Sequence, residues 1–467
     1  MPKWLKLFIP VFMGLIIYQI PSPDGVMQQG WNLFAIFVAT IIGVVLKPFL
    51  MGVVALLGLS VAVATKTLDI AKEGLTGYST HIIWLITYVF FIARGFIKSG
   101  LGARIAYFFV KLLGRRTLGL GYGIVVTELI IGPAIPSNSA RAGGIMFPIL
   151  KGISESLGSK AGDGTERQLG SFLTQVCFHG NLIVSAMFLT AMAANPMAQV
   201  FAAKQGIEIT WVSWFQAASV PGLVSLILVP IILYFIYPPH LKRLPPAPEM
   251  AREKLKEMGA MTMQEWTMAG TFVFMLVLWV FGAQLDINAT SAALWGVSIL
   301  LLSGVLTWDD VLNEKEAWHN FIWFAILITM AKYLEEFGLV AWFSNHVGHL
   351  VHGLPWMYSF IILILIYFYS HYFFASNTAH VGAMYSAFLA VSIASGTPPL
   401  LAALVLGFCG SLFSHMTHYG SSSAVVLYGT GYVPITAWWS IGFVVSVANI
   451  LIWGLVGGMW WKYLGIW

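Results

Sequence analysis

The chain has 467 residues, 58% of them hydrophobic and only 9% charged, with a formal net charge of +5. Soluble domains carry about 25% charged residues, so a chain this poor in charge cannot wrap a water-facing core, and lipid must be its main solvent. Its Lys and Arg gather in short loops beside apolar runs and call for no nucleic-acid partner. Its two cysteines, Cys177 and Cys409, sit inside apolar stretches and suggest neither a disulfide framework nor a metal or redox pair.

A helix needs roughly 20 mostly apolar residues to cross the hydrocarbon core. On that ruler the spans fall near 5–20, 31–46, 49–65, 82–98, 168–206, 211–237, 264–284, 290–306, 320–336, 400–433 and 438–465. The first lacks a small-residue cleavage site and reads as a retained helix rather than a signal peptide. Two further stretches, 117–156 and 355–396, are interrupted by Pro, Gly, Ser and Asn and read as re-entrant helical hairpins. The spans 168–206 and 400–433 are too long and too interrupted to be single rods, with breaks expected near Gly180-Asn181 and Gly420-Ser421. Lys47, the cluster Arg94 to Arg116, and the basic residues of the polar stretch Pro238 to Gly259 all belong inside under the positive-inside rule. The count then closes at about eleven transmembrane helices, with the N-terminus inside and the C-terminus outside.

The second half repeats the first. Ser137-Asn138-Ser139 and Ser376-Asn377-Thr378 lie 239 residues apart, counted from Ser137 to Ser376. The same offset pairs Ala140 with Ala379, Arg141 with His380, Trp84 with Trp323 and His179 with His418. An odd number of spans separates equivalent points, so the repeats are inverted and the hairpins open from opposite faces. Broken helices in inverted repeats are where transporters place their substrate.

A Ser-Asn-Ser or Ser-Asn-Thr turn at a helix start offers hydroxyl and amide donors, freed backbone N–H groups and a positive dipole end. Two such turns suit the two carboxylates of a small dianion. Arg141 and His380 each follow their Ser by four residues, about one helical turn, which places positive charge beside the same site. If that charge were unneutralised in an empty site, returning unloaded would be slow, and transport would become exchange.

The strings IWLITYVFFIARGFIKSGLGARIAYFF at 83–109, GPAIPSNSARAGG at 132–144 and HYFFASNTAHVGA at 371–383 resemble the divalent anion:sodium symporter family, over essentially the whole chain. They look most like its exchanger branch, the bacterial dicarboxylate or citrate antiporters and plastid 2-oxoglutarate/malate translocators. The resemblance implies an all-α polytopic membrane protein, an elevator-type homodimer in which a transport domain slides against a scaffold. Its parts would be scaffold 1–116 and 263–354, transport segments 117–237 (inner hairpin and broken helix) and 355–467 (outer hairpin and broken helix), and a cytoplasmic linker at 238–262. It implies substrate contacts from Ser137, Asn138, Ser139, Ser376, Asn377 and Thr378. A second contact region falls at Gly180, Asn181, Gly420 and Ser421, with His418 beside it. Sodium-coupled members carry a hydroxyl residue four before each motif Ser, where this chain has Pro133 and Tyr372.

These readings converge on a sodium-independent antiporter of C4–C5 dicarboxylates (2-oxoglutarate, malate, fumarate, succinate) in the plasma membrane, with no cofactor and no metal. A sodium- or proton-coupled dicarboxylate symporter, or a citrate/succinate antiporter, of the same fold is the alternative. Glu128 reads as the ion-pair partner of a basic neighbour such as Arg141. His346, His349 and His352 read as an amphipathic surface run rather than a metal site, and Trp460, Trp461 and Trp467 as an interfacial belt. No HExxH, nucleophile-elbow or P-loop string supports an enzyme.

Overall fold

A computed structural model describes residues 2–339, 342 and 355–467. The histidine run at His346, His349 and His352 lies outside the described residues. Everything described is helix, turn or loop, apart from one isolated bridge between Arg116 and Arg243.

The first half runs through α1 (Lys3–Gln19), α2 (Gln28–Leu46), α3 (Met51–Ala64), α4 (His81–Ser99), α5 (Leu101–Leu113), α6 (Thr117–Ile131), α7 (Phe147–Ser156), α8 (Gly170–Met187), α9 (Ala194–Lys204) and α10 (Trp211–Ile236). A polar helix, α11 (Pro246–Glu257), follows. The second half comprises α12 (Met263–Leu285), α13 (Ala289–Leu302), α14 (Trp308–Asn313), α15 (Lys315–Glu336), α16 (Trp356–Ser370), α17 (Asn377–Ala394), α18 (Pro399–Leu412), α19 (Ser422–Tyr428), α20 (Ile435–Leu451) and α21 (Gly458–Tyr463).

The internal repeat is built into the backbone. Adding 239 to the bounds of α6 gives the bounds of α16, and the 3-10 turn Gly132–Ala134 maps in the same way onto His371–Phe373. The shift also carries Leu46, the end of α2, onto Leu285, the end of α12. Both helices stop on a non-glycine residue in the left-handed region, Lys47 at φ 51° and Asp286 at φ 54°. Past the hairpins the offset falls to 224, since the 3-10 turn Leu189–Ala191 answers Phe413–His415. The expected pairing of His179 with His418 is therefore wrong. At the local offset His179 faces position 403 and His418 faces position 194.

Seven of the described helices are long and apolar enough to cross a membrane, among them Thr117–Ala134 and Trp356–Phe373, the first arms of the two expected hairpins. The protein is a polytopic all-α membrane protein. The expected spans at 5–20, 49–65, 290–306 and 400–433 are represented only by shorter apolar helices, and those at 168–206 and 320–336 contribute none of the seven. Buried α8 carries Gln175, His179, Asn181 and Ser185, so it serves protein rather than lipid.

Two compact units interleave along the sequence. The first comprises Met1–Thr87, Met197–Glu208 and Lys315–Leu406; the second comprises Tyr88–Pro196, Ile209–Glu314 and Gly407–Trp467. The division cuts across the expected scaffold and transport segments, because the turn at Ser137 falls in the second unit and the turn at Ser376 in the first. Inside the first unit, Gly77 brings its chain against α15. Its N–H donates to Thr329 Oγ1 at 2.9 Å, and a Cβ there would lie 2.0 Å from the Ala325 carbonyl oxygen. Inside the second, α8 packs against α6 and α10 with every one of its residues buried.

Candidate functional site

The two Ser-Asn turns share one local geometry. Ser137 Oγ accepts the Ala140 N–H at 3.2 Å and lies 3.0 Å from Ser139 Oγ. Ser376 Oγ accepts the Ala379 N–H at 3.4 Å and lies 2.9 Å from Thr378 Oγ1. Each serine thus caps a helix start, where the first N–H groups have no acceptor within the helix. Sequence reasoning missed a third copy. Ser421 Oγ accepts the Ala424 N–H at 3.1 Å and lies 3.2 Å from Ser423 Oγ, so Ser422 and Ser423 belong to the set. Ser-x-Ser/Thr-Ala describes all three and was there to be found.

The tip of the first hairpin is held by a buried network within the second unit. After the turn the backbone forms a π-helical stretch, Ala140–Met146, a feature that often marks functional sites. It carries Arg141, whose side chain is 0% exposed. Arg141 Nε donates to Glu128 Oε2 at 3.0 Å, Nη1 to the Ala191 carbonyl at 2.6 Å and to the Ile135 carbonyl, and Nη2 to Ser185 Oγ. Asn181 Nδ2 donates to Glu128 Oε2 at 3.1 Å and to the Asn138 carbonyl at 3.4 Å, while Ser185 Oγ donates to Asn138 Oδ1 at 3.0 Å. Asn138, Arg141 and Asn181 are therefore brought together, and Glu128 is the ion-pair partner expected of it. The unneutralised charge expected of Arg141 is corrected: Glu128 offsets it in the protein itself.

Gly180 and Asn181 do not mark a helix break. They lie inside continuous α8, where Gly180 lets Val125 of α6 come close; a Cβ would meet it at 3.2 Å. The break comes later, at Phe188, whose backbone is extended. Asn195 Nδ2 takes up the freed carbonyls of Ser185 and Phe188, at 2.7 and 2.9 Å. Thr190 Oγ1 donates to the Pro133 carbonyl at 2.7 Å and ties this break to the hairpin. In the second half the break falls as expected, with Gly420 before it and Ser421 as N-cap of α19.

Two buried imidazole pairs stand near these elements. In the first unit His380 Nδ1 lies 3.1 Å from His371 Nδ1 and its Nε2 lies 3.2 Å from Ser370 Oγ, with the ring stacked on Phe374 at 4.4 Å. In the second unit His179 Nδ1 lies 2.8 Å from His415 Nδ1. Asn449 Nδ2 donates to the Val445 carbonyl and lies 3.2 Å from His415 Nε2, so that ring accepts there. His415 must then donate from Nδ1, which leaves the proton of His179 on Nε2. His418, half-buried, accepts from Trp439 Nε1 at 3.1 Å and so carries its own proton on Nε2, close in sequence to Gly420 and Ser421. Among the described residues no group of three or more metal-binding side chains occurs.

A lipid-immersed helical chain with capped, repeated polar turns is the anatomy of a carrier. The family model for the sodium:sulfate symporter transmembrane region matches residues 1–467. The chain belongs to the divalent anion:sodium symporter family. Within that family it is 54% identical over 466 residues to the putative malate transporter YflS of Bacillus subtilis, covering 100% of this chain and 97% of that one. It is 52% identical over 464 residues to the chloroplastic dicarboxylate transporter 1 of Spinacia oleracea, covering 99% and 81%. The solved MtrF of Neisseria gonorrhoeae shares the fold at TM-score 0.58 and 14% identity, covering 98% of this chain and 94% of that one. YdaH of Alcanivorax borkumensis does so at TM-score 0.59 and 12% identity, covering 87% and 89%. As a member of a divalent anion:sodium symporter family, the protein is a membrane transporter and not an enzyme.

Proposed function

We propose that the protein is a sodium-independent antiporter exchanging C4–C5 dicarboxylates such as 2-oxoglutarate, malate, fumarate and succinate. The observation that carries this reading is the matched geometry of the turns at Ser137 and Ser376, each able to hold one carboxylate through hydroxyl and first-turn N–H groups. The malate and dicarboxylate transporters among its relatives support the substrate class. Pro133 and Tyr372, where a sodium ligand would be wanted, support the absence of sodium coupling, and the Pro133 carbonyl is already taken by Thr190.

In this reading Ser137, Asn138, Ser139, Ser376, Asn377, Thr378, His418, Gly420 and Ser421 contact substrate. Arg141 and Asn181 act through the turn they hold, and Gly180 through the close approach of α6 to α8. Exchange arises because carrying the polar turns out of water with nothing bound is costly. A bound dianion satisfies them, so the loaded carrier crosses and the empty one does not. The carrier is a homodimer in the plasma membrane, with an N-terminus inside, in which segments 117–237 and 355–467 move as an elevator against 1–116 and 263–354.

Reconstituted protein tests this directly. Uptake of labelled malate should require dicarboxylate inside the vesicle and be the same in sodium or potassium buffers. Sodium-driven uptake into empty vesicles would replace exchange by symport, and strong competition by citrate would point to a citrate/succinate exchanger.

A further inference from the structure

The dianion reading needs a cation at the site, and Arg141 is spent on Glu128. Within the first unit a different cation reaches the second turn. Lys47 Nζ donates to the Ala375 carbonyl at 3.3 Å. That carbonyl shares a peptide unit with the Ser376 N–H, at the mouth of the Ser376-Asn377-Thr378 turn. Apolar contacts fix the approach: Val44 and Val54, flanking Lys47 on α2 and α3, pack with Ala379, and Met51 and Phe374 close the cluster.

The helix end itself does not call for lysine. Lys47 adopts a left-handed conformation, φ 51° and ψ 56°, that glycine or asparagine takes more readily. The equivalent cap in the other repeat, Asp286, has the same backbone and the opposite charge. What lysine adds is reach and an ammonium. An ammonium has three donors, and the carbonyl takes one. No ion pair among the described residues includes Lys47, whereas Arg141 is matched by a carboxylate. The residue is exposed, so an incoming anion can reach it.

We propose that Lys47 is a substrate-binding residue whose ammonium neutralises the carboxylate held at the Ser376-Asn377-Thr378 turn. This rests on the dicarboxylate reading above. The charge comes from the end of α2 rather than from the hairpin, so it acts only while the hairpin tip lies against that end. Affinity for the dianion is thereby tied to position in the transport cycle.

The test is counterflow of labelled malate in proteoliposomes, with the wild-type protein measured alongside. Lys47→Gln lacks the charge and one atom of reach, and should raise KM about tenfold; Lys47→Arg should stay within about threefold of wild type. Lys47→Cys should regain affinity when its thiol is converted to an aminoethyl disulfide and not when it is converted to a neutral methyl disulfide. The native Cys177 and Cys409 are buried and leave that labelling site-specific. An unchanged KM in Lys47→Gln, a change in kcat alone, or equal rescue by both reagents overturns the proposal. A wild-type protein that does not move malate would instead overturn the dicarboxylate reading.

Discussion

Replacing Glu128 with Gln removes one charge and almost no volume from the network behind the first turn. Glu128 Oε2 stands 3.0 Å from Arg141 Nε, and both side chains are 0% exposed. At an effective dielectric constant of about 20 that separation corresponds to an attraction of about 5 kcal/mol. Removing one member of a buried pair strands the other, at a cost of roughly 3–5 kcal/mol. Glu128→Gln should therefore lower the unfolding temperature in detergent by roughly 3–5 °C. It should also loosen Asn138, which reaches Glu128 through Asn181. A double-mutant cycle with Arg141→Gln should return a coupling energy of about 2–3 kcal/mol. Stability equal to wild type in Glu128→Gln, or a coupling energy near zero, would refute the view that Arg141 is held by Glu128 rather than by substrate.

Asn138→Ala and Asn377→Ala should each abolish saturable dicarboxylate binding, read by substrate-induced thermal stabilisation; affinity surviving both changes would move the site elsewhere. Gly442→Ala should destabilise the protein by about 1–3 kcal/mol, because its Cβ would lie 2.4 Å from the His415 carbonyl oxygen and 2.8 Å from Met416 Cα, backbone that cannot swing away. An unaltered melting curve would count against that packing. Asp310, in a loop helix, has its carboxyl raised by burial but lowered more by Lys98 and Thr307, to about 2. A depressed carboxyl stabilises the fold above its ordinary value of 3.8 and loses that contribution as pH falls through about 2. The melting-temperature gap between wild type and Asp310→Asn should thus be small, in line with about 1 kcal/mol or less for a partly exposed pair, and constant from pH 8 to pH 5.

Much of this protein could be read from the chain because lipid leaves few choices. Charge scarcity forces apolar helices, and a hairpin interrupted by Ser and Asn stands out against them. The repeat was legible through short-range features: turn chemistry, helix ends and hairpin arms recur at one offset because each is set by its own few residues. The Ser-x-Ser/Thr-Ala turn at Ser421 was equally local and could have been found.

What only the tertiary structure decided were relations between distant residues. The offset shifts after the hairpins, so His179 meets His415 instead of matching His418, and no single-register comparison shows that. Gly180 looks like a helix breaker in sequence, but packing against Val125 makes it a point of close approach, and the break moves to Phe188, where Asn195 can satisfy the freed carbonyls. The charge of Arg141 was plain in the sequence, yet its neutralisation by Glu128 depended on which carboxylate folding brings within 3.0 Å. Lys47 read as a marker of membrane sidedness until the fold set its ammonium beside Ala375. Local propensity is written residue by residue; the destination of a long polar side chain is chosen by whatever the fold places within its reach.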